Sequence, residues 1–521
     1  MEDELVIEDE EEAEQEYDWR DDEEPIAKYR PGGFHPVCPG QLYNDRYLAR
    51  RKLGSGAYST VWLVQDMQNH EFRAMKVLTA DSYAEDDQHI FEVEILKHLR
   101  TADPKHKGYS YINHLLDEFE HEGPNGKHVC LIFEPMGMSL QGYADCLARE
   151  GLGPVLPAYA IASITKQLLW ALSYAHENGV IHTDIKLDNI FVRFSTDMKE
   201  EIDKDFLPST YPLVDFVKPY EPYRVLRSMP MYLYWANNLD EMLDVQICLG
   251  DWGVASWKHK HLCERVQPEA MRAPEVFLRS DWDESVDIWS LGPTILRLLN
   301  DEPMFITEVA GHEGDPSYSE PFILMQMQLL FGGGHFPASM LDRGNPEYVE
   351  MVFNEKGRVK FYDDEEPASF REGRWTQNIP KSFREDVTSW FEFLMKLDPR
   401  ERPSIRELLD HPWLSTERVK PSMEAATDSA DEEGGKVSVS VKAAMGEEQE
   451  AKNASNANEG HLGAVKKEGE VMDEDTASSG GQMPENATQG RQRDKEAQAS
   501  SRPEVAAPSG LEEADQVTKA E

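Results

Sequence analysis

Long apolar runs are missing from this sequence. Its most apolar stretch, Phe322 to Phe331, falls well short of the roughly 20 residues a membrane-spanning helix needs, so no transmembrane segment is expected. Cysteine is scarce: five in 521 residues, at 38, 130, 146, 248 and 263. Their spacing fits no metal-binding pattern. An odd count with no secretory leader favours reduced thiols, as in cytoplasm or nucleus. Basic charge is also short. The 53 Lys and Arg stand against 98 Asp and Glu, a net charge of −45. That balance argues against nonspecific binding to nucleic acid or to a membrane surface, and it suits a basic partner as well as plain solubility.

The imbalance is concentrated at the ends. Residues 1–24 hold 15 acids and a single Arg, and residues 421–521 hold 22 acids and 10 bases with no Phe, Trp or Tyr. Chains with so little to bury cannot offset the entropy of ordering. Residues 1–30 and 418–521 are therefore expected to be disordered acidic tails. Asn453 and Asn486 sit in glycosylation-type triplets, and without a secretory leader they are expected to stay unmodified.

Between the tails lies a stretch with chemistry in it, His182-Thr183-Asp184-Ile185-Lys186-Leu187-Asp188-Asn189. Apolar Val180-Ile181 and Ile190-Phe191-Val192 flank it, so it reads as a loop between buried segments. An Asp, a Lys two residues on and an Asn five residues on are what phosphoryl transfer needs: an acceptor for the hydroxyl proton, a charge for the moving phosphate and a metal ligand. The octapeptide alone could be chance, so its partners decide.

Upstream, Leu53-Gly54-Ser55-Gly56 with Val61 reads as strand, tight turn, strand, where glycine lets backbone N–H groups approach phosphates. Ser59 stands where a full G-x-G-x-x-G has its third glycine, and such pairs are also ordinary hairpin turns. Ala74-Met75-Lys76-Val77-Leu78 is an alternating strand whose Lys76 either snorkels from an edge or is buried against a partner. Glu92, on a helical apolar pattern, is the favoured partner because its spacing to Ile95 and Leu96 puts it inward; Glu94 is the rival. Cys130 to Phe133 is a strand running into a Pro/Gly linker at Glu134, Pro135 and Met136. Downstream, Ile247-Cys248-Leu249 leads to Asp251-Trp252-Gly253, a carboxylate placed to hold a metal or simply to close a turn. Glu275 and Arg402 are expected to form a buried, structural ion pair.

In this order and spacing, residues 47–414 resemble a eukaryotic protein kinase. Gly32-Gly33-Phe34-His35-Pro36-Val37, Arg51-Lys52-Leu53-Gly54-Ser55-Gly56, Ser59-Thr60-Val61-Trp62-Leu63, His128-Val129-Cys130 and His182-Thr183-Asp184-Ile185-Lys186 are similar to the SR-protein kinases, as a divergent, fungal-like member. The resemblance implies an α+β bilobal fold: a small β-rich N-lobe (47–135), a larger helical C-lobe (136–414) and an insert at about 195–241. It implies a serine/threonine protein kinase using ATP and Mg²⁺ on basic Arg/Ser-rich splicing proteins, acting as a monomer in cytoplasm or nucleus without direct nucleic-acid or membrane contact. Asp184 and Lys186 would be catalytic. Leu53, Gly54, Ser55, Gly56, Val61, Ala74, Lys76, Glu92, Glu134 and Met136 would bind ATP, and Asn189 and Asp251 the metal. A catalytically inactive scaffold and an active kinase with another substrate are the alternatives.

The chain also departs from the pattern. Thr183 stands where most kinases carry a phosphate-receiving Arg, and Ser256 is the only hydroxyl residue between Asp251 and Glu275. Activation by phosphate in that segment is therefore not expected. Pro268 and Glu269 replace family residues next to the substrate, where Glu269 is either a site for a basic neighbour or a solvated acid. Glu320 and Gln328 lie near a basic-docking groove that is half kept.

Overall fold

The structure is a computed structural model. It describes residues 23–83, 90–149, 156, 158–193, 202, 226, 228, 231, 245–300, 303–310, 316–362, 365–376, 379 and 381–415. Residues 1–22, the stretch 418–521 and most of 195–241 lie outside them.

The first half is a six-stranded antiparallel sheet. Its strands are β1 (Leu42–Tyr43), β2 (Tyr47–Ser55), β3 (Ser59–Asp66), β4 (Glu71–Leu78), β5 (Asp117–Gly123) and β6 (Gly126–Phe133), in the order β1-β2-β3-β4-β6-β5. The turns are written in the sequence: a Gly-rich tip joins β2 to β3, and Pro124-Asn125 joins β5 to β6 ahead of Gly126 at φ 129°. Successive side chains on a strand face opposite ways. Val61 pairs with Lys76 and Trp62 with Met75, so Lys76 lies on one face and Trp62, paired in turn with Lys52, on the other. The Lys76 face packs on helix α1 (Glu92–Thr101), whose Ile95, Leu96 and Leu99 are buried. Glu92 is buried with them while Glu94 is exposed, as the helical spacing required.

On the outer face, Trp62, Val64, Met75, Val77, Cys130 and Ile132 form a second apolar cluster that includes Val37 and Tyr43 and is covered in part by Leu226. This corrects one boundary. The acidic stretch expected to be unstructured through residue 30 is packed from Glu23 onward, with Glu24, Tyr29 and Phe34 buried. The reason is local: apolar Tyr29, Phe34 and Val37 have a sheet face to bury against, and the acids have a cation to meet there. The insert also touches the sheet. Ile202 and Met231 are buried with Leu63 and Phe72.

The second half is helical. Helix α2 (Leu140–Arg149) follows the linker. Helix α3 (Ala158–Glu177) runs through the core with Ile161, Ile164, Leu168 and Leu172 fully buried, against α4 (Ser285–Asn300), which is buried along nearly its whole length. Helices α5 (Glu320–Phe331) and α6 (Lys381–Leu394) complete the frame. The expected ion pair is present: Arg402 grips Glu275 with two bonds of 2.6 Å, both side chains 1% exposed. Two short ladders frame the loop of interest. β7 (Val180–Ile181) pairs with β10 (Ser256–Trp257), and β8 (Ile190–Val192) with β9 (Ile247–Leu249). Among the described residues no helix is long and apolar enough to cross a membrane, and the cysteines at 38, 130, 248 and 263 are free.

Candidate active site

The loop 182–189 is held by a carboxylate of the helical half. Asp287, buried at the start of α4, accepts the backbone N–H of His182 (2.8 Å) and of Thr183 (2.8 Å), and its Oδ2 also meets His176 Nε2 (2.8 Å). The His182 ring reaches the Gly250 carbonyl (3.0 Å) and packs edge-on against Trp252. These bonds hold Thr183 at φ 66° and Asp251 at φ 56°, conformations that cost a non-glycine residue on the order of 1 kcal/mol. The signal available in sequence was an Asp beside Ile288-Trp289-Ser290; its partners lie more than 100 positions away.

The fixed loop brings three expected residues together. Asp184 Oδ2 accepts from Asn189 Nδ2 (2.7 Å) and pairs with Lys186 Nζ (2.9 Å). The Asn189 amide also donates to the Asp184 carbonyl (2.8 Å). Both amide bonds go to Asp184, so the Asn189 oxygen is the atom left for a cation.

A second group forms where sheet and C-lobe meet. Lys76 Nζ lies 2.6 Å from Glu92 and 2.8 Å from Asp251. Burial works against the Lys76 charge, but Asp251 and Glu92 outweigh it and hold its pKa above the ordinary value. The Lys76 cation in turn brings the Asp251 carboxyl down to about 2. Burial, with Asp251 beside it, raises Glu92 against the pull of Lys76. Glu92 is 3% exposed and Asp251 47%, so one acid of the pair is sealed and the other is open to solvent. Gly253 allows the approach, since a Cβ there would stand 3.2 Å from Asp251 Oδ1 and 3.7 Å from Lys76 Nζ.

The remaining expected contacts line the sheet side of the cleft. Leu53, Gly54 and Ser55 end β2, and Gly56 opens the turn. A Cβ on Gly54 would meet no protein atom within 4 Å, and one on Gly56 only Ser59 Oγ at 4.0 Å. Internal packing therefore does not require glycine here, and the backbone is left open to a ligand. Val61 and Ala74 lie on neighbouring strands, Ala74 opposite Phe133. Glu134 is exposed and Met136 half-buried in the linker, which is tied to the C-lobe by Gly137 N–H to the Val192 carbonyl (2.9 Å).

The donor set fits a nucleotide triphosphate with a divalent ion: a paired lysine, an open glycine turn, and Asp251 with Asn189. Among the described residues no group of three or more His, Cys, Asp or Glu side chains could hold a metal alone. A hard ion here would take its other ligands from phosphate and water, as Mg²⁺ sites commonly do.

The segment after Asp251 is braced without phosphate. Thr183 Oγ donates to the Val254 carbonyl (2.8 Å). Ser256 is fully buried, its Oγ accepting Leu262 N–H (3.0 Å). His261 stacks on Trp282 at 3.6 Å, and Lys258 pairs with Glu284 at 2.7 Å. Gln267 bonds Val286 O, Ser290 Oγ and Ala273 N. Next to it Pro268 leads into a short turn that leaves Glu269 exposed. The two groove positions fare differently. Gln328 is buried and accepts Val359 N–H, a structural role. Glu320 is met by Arg265 (2.8 Å), Arg279 (3.7 Å) and the Tyr348 hydroxyl (2.7 Å), so the chain's own cations already attend it.

Comparison with known proteins agrees with this geometry. The family described as protein kinase domain matches residues 47–206 and 236–414. A serine/threonine-protein kinase SRPK of Physarum polycephalum is 29% identical over 412 residues, covering 76% of this chain and 92% of that protein. A serine/threonine protein kinase of Aspergillus fumigatus is 30% identical over 408 residues, covering 75% and 90%. A protein kinase of Schizosaccharomyces pombe is 26% identical, covering 78% and 88%. Among solved structures, a crystallised kinase domain superposes with a TM-score of 0.51 at 22% identity, over 73% of this chain and 98% of that one, a likeness of fold.

Proposed function

The chain belongs to the protein kinase family as a serine/threonine protein kinase, and on that footing we propose how its cleft works and what it modifies. When bound, ATP supplies the γ-phosphoryl group and a divalent ion, which we take to be Mg²⁺, offsets the phosphate charge. Lys76, held by Glu92, would bind the phosphates. Asp251 and the Asn189 oxygen would hold the ion. Asp184, fixed through one oxygen by Asn189 and Lys186, orients the Ser or Thr hydroxyl and takes its proton. Lys186, 2.9 Å from Asp184, would share charge with the transferred phosphoryl group. Rate enhancement on this reading comes from positioning and preorganised charge. The observation that carries it is that both carboxylates, Asp184 and Asp251, stand with their cationic partners already in bonding distance. That assembly also argues against an inactive scaffold.

The proposed substrates are basic, Arg/Ser-rich proteins of the kind the SR-protein kinases modify. Three features support this: the strongly acidic chain, the relatives above and the exposed Glu269, whose carboxylate would favour a basic residue after the acceptor. Glu320 adds less, because substrate arginine would have to replace Arg265 and Arg279. The test is γ-phosphate transfer to an Arg/Ser-repeat peptide beside a neutral peptide of equal length. Preference for the first is expected. Transfer only to the second discards the substrate class, and transfer to neither supports the scaffold.

A further inference from the structure

Lys52 is a lysine with no accessible surface, on β2 directly before Leu53-Gly54. Its ammonium lies 2.6 Å from Glu23, contacts Glu24, and donates to the Leu226 carbonyl at 3.0 Å. Glu24 is also bonded by the Tyr29 hydroxyl. Ser228 also holds Glu23, its backbone N–H donating to Oε1 and its hydroxyl, at 2.7 Å, to the Oε2 that Lys52 meets. These partners of Lys52 come from outside the residues that match the kinase family: Glu23 and Glu24 precede residue 47, and Leu226 falls in the gap 207–235, as does Ser228. The acidic N-terminal segment and the insert thus meet over a cation of the sheet, and Ser228 is the hydroxyl at their junction.

We propose that Ser228 is a phosphorylation site and that its phosphate releases residues 23–37 from the sheet. Ser228 is half-buried, and its hydroxyl hydrogen points to Glu23. The acceptor oxygen becomes free when Glu23 swings away. Transfer forms the Ser228 Oγ–P bond and breaks the bond from the γ phosphorus to the β,γ-bridging oxygen of ATP; the hydroxyl proton passes to the kinase base and ADP leaves. The product places nearly two negative charges where one carboxylate is now held by a hydroxyl. Glu23 and Glu24 are repelled, and the phosphate takes Lys52, so the detached state is trapped. Arg227 immediately precedes Ser228, so the modifying enzyme is one that accepts Arg before Ser. Self-modification in particular rests on the substrate class proposed above; modification by another kinase does not.

The experiment uses the full-length protein, as wild type and as Asp184→Asn, before and after incubation with Mg-ATP. Phosphate is mapped by mass spectrometry, and amide exchange is measured over residues 23–37. Phosphate on Ser228 of wild type but not of Asp184→Asn identifies self-modification; phosphate on both identifies another kinase. Ser228→Glu is expected to speed exchange over 23–37 by about tenfold or more, and Lys52→Met to do the same, while Ser228→Ala keeps the backbone bond to Glu23 and stays protected. Unmodified Ser228 in every sample, or a Ser228→Glu protein as protected as wild type, overturns the proposal. Failure on the Arg/Ser peptide with phosphate present on Ser228 would remove the substrate class and leave the switch standing.

Discussion

Lys76 and Lys52 stand on opposite faces of one sheet, and each holds two carboxylates. In the cleft, Lys76 meets Glu92 and Asp251, and Asp251 is half-exposed. On the outer face, Lys52 meets Glu23 and Glu24, and all three side chains are 4% exposed or less. The difference separates a working charge cluster from a structural one. The two clusters carry the same formal charge, one cation and two carboxylates, and on the proposed mechanism the one that receives phosphate and metal keeps an acid open to solvent. A sealed cluster spends its charge internally, and breaking it leaves a buried ion uncompensated. The same residue types thus serve chemistry in one place and attachment in the other, according to exposure.

The largest expected effect is on the open cluster. Lys76→Met should lower phosphate transfer by about a hundredfold or more and lower the urea midpoint less than Lys52→Met does, because Asp251 is open to solvent. Unimpaired transfer would erase the distinction from its functional side. Lys52→Met should do the reverse: about 3–5 kcal/mol lost in urea unfolding, with the turnover of the folded fraction little changed. A stability equal to wild type would mean that the sealed cluster holds nothing.

Acid should separate the two faces next. His35, buried beside His121 and His128, has its pKa lowered to about 2, and burial lowers the other two as well. The Tyr43 hydroxyl and the Leu78 carbonyl hydrogen-bond to rings of this cluster. His35 is neutral in the fold and titrates near 6.5 when unfolded, so its contribution is complete above about pH 6.5 and is lost as pH falls, by up to about 1.4 kcal/mol per pH unit. His121 and His128 are shifted in the same direction. Asp251, depressed to about 2, contributes above about pH 4 and fails only in stronger acid. Urea unfolding between pH 7 and 5 should show the loss, and His35→Gln should flatten it; an unchanged slope in the variant would remove His35 as its cause. The smallest effect is a deliberate absence: phosphatase treatment should change the transfer rate less than about twofold, because Thr183 and buried Ser256 brace the segment without phosphate. Loss of activity with phosphate mapped to residues 251–275 would contradict that.

The open cluster was legible in sequence and the sealed one was not. Lys76, Asp184, Asn189 and Asp251 are residue types that phosphoryl transfer requires at fixed distances, and helical spacing was enough to choose Glu92 over Glu94. Lys52 appeared only as a letter in a glycine-turn motif. Its acids lie in a run of 15 whose composition reads as solvated chain, and its other partner comes from 174 positions away. Composition averages over a run, whereas packing selects the two residues next to a buried cation. Asp287 escaped for the same reason, since its role is defined by backbone N–H groups that carry no sequence signature. Glu320 was named from its position, but the arginines that already meet it were not.

The most direct test of the central claim is γ-phosphate transfer by Asp184→Asn with nucleotide affinity measured on the same sample. The isosteric amide keeps the loop geometry and removes the proton acceptor. Transfer should fall by about a thousandfold, within the range for loss of a general base, while ATP binds as in wild type. Transfer at the wild-type rate would show that Asp184 is not the base and that the loop 182–189 is not the catalytic loop.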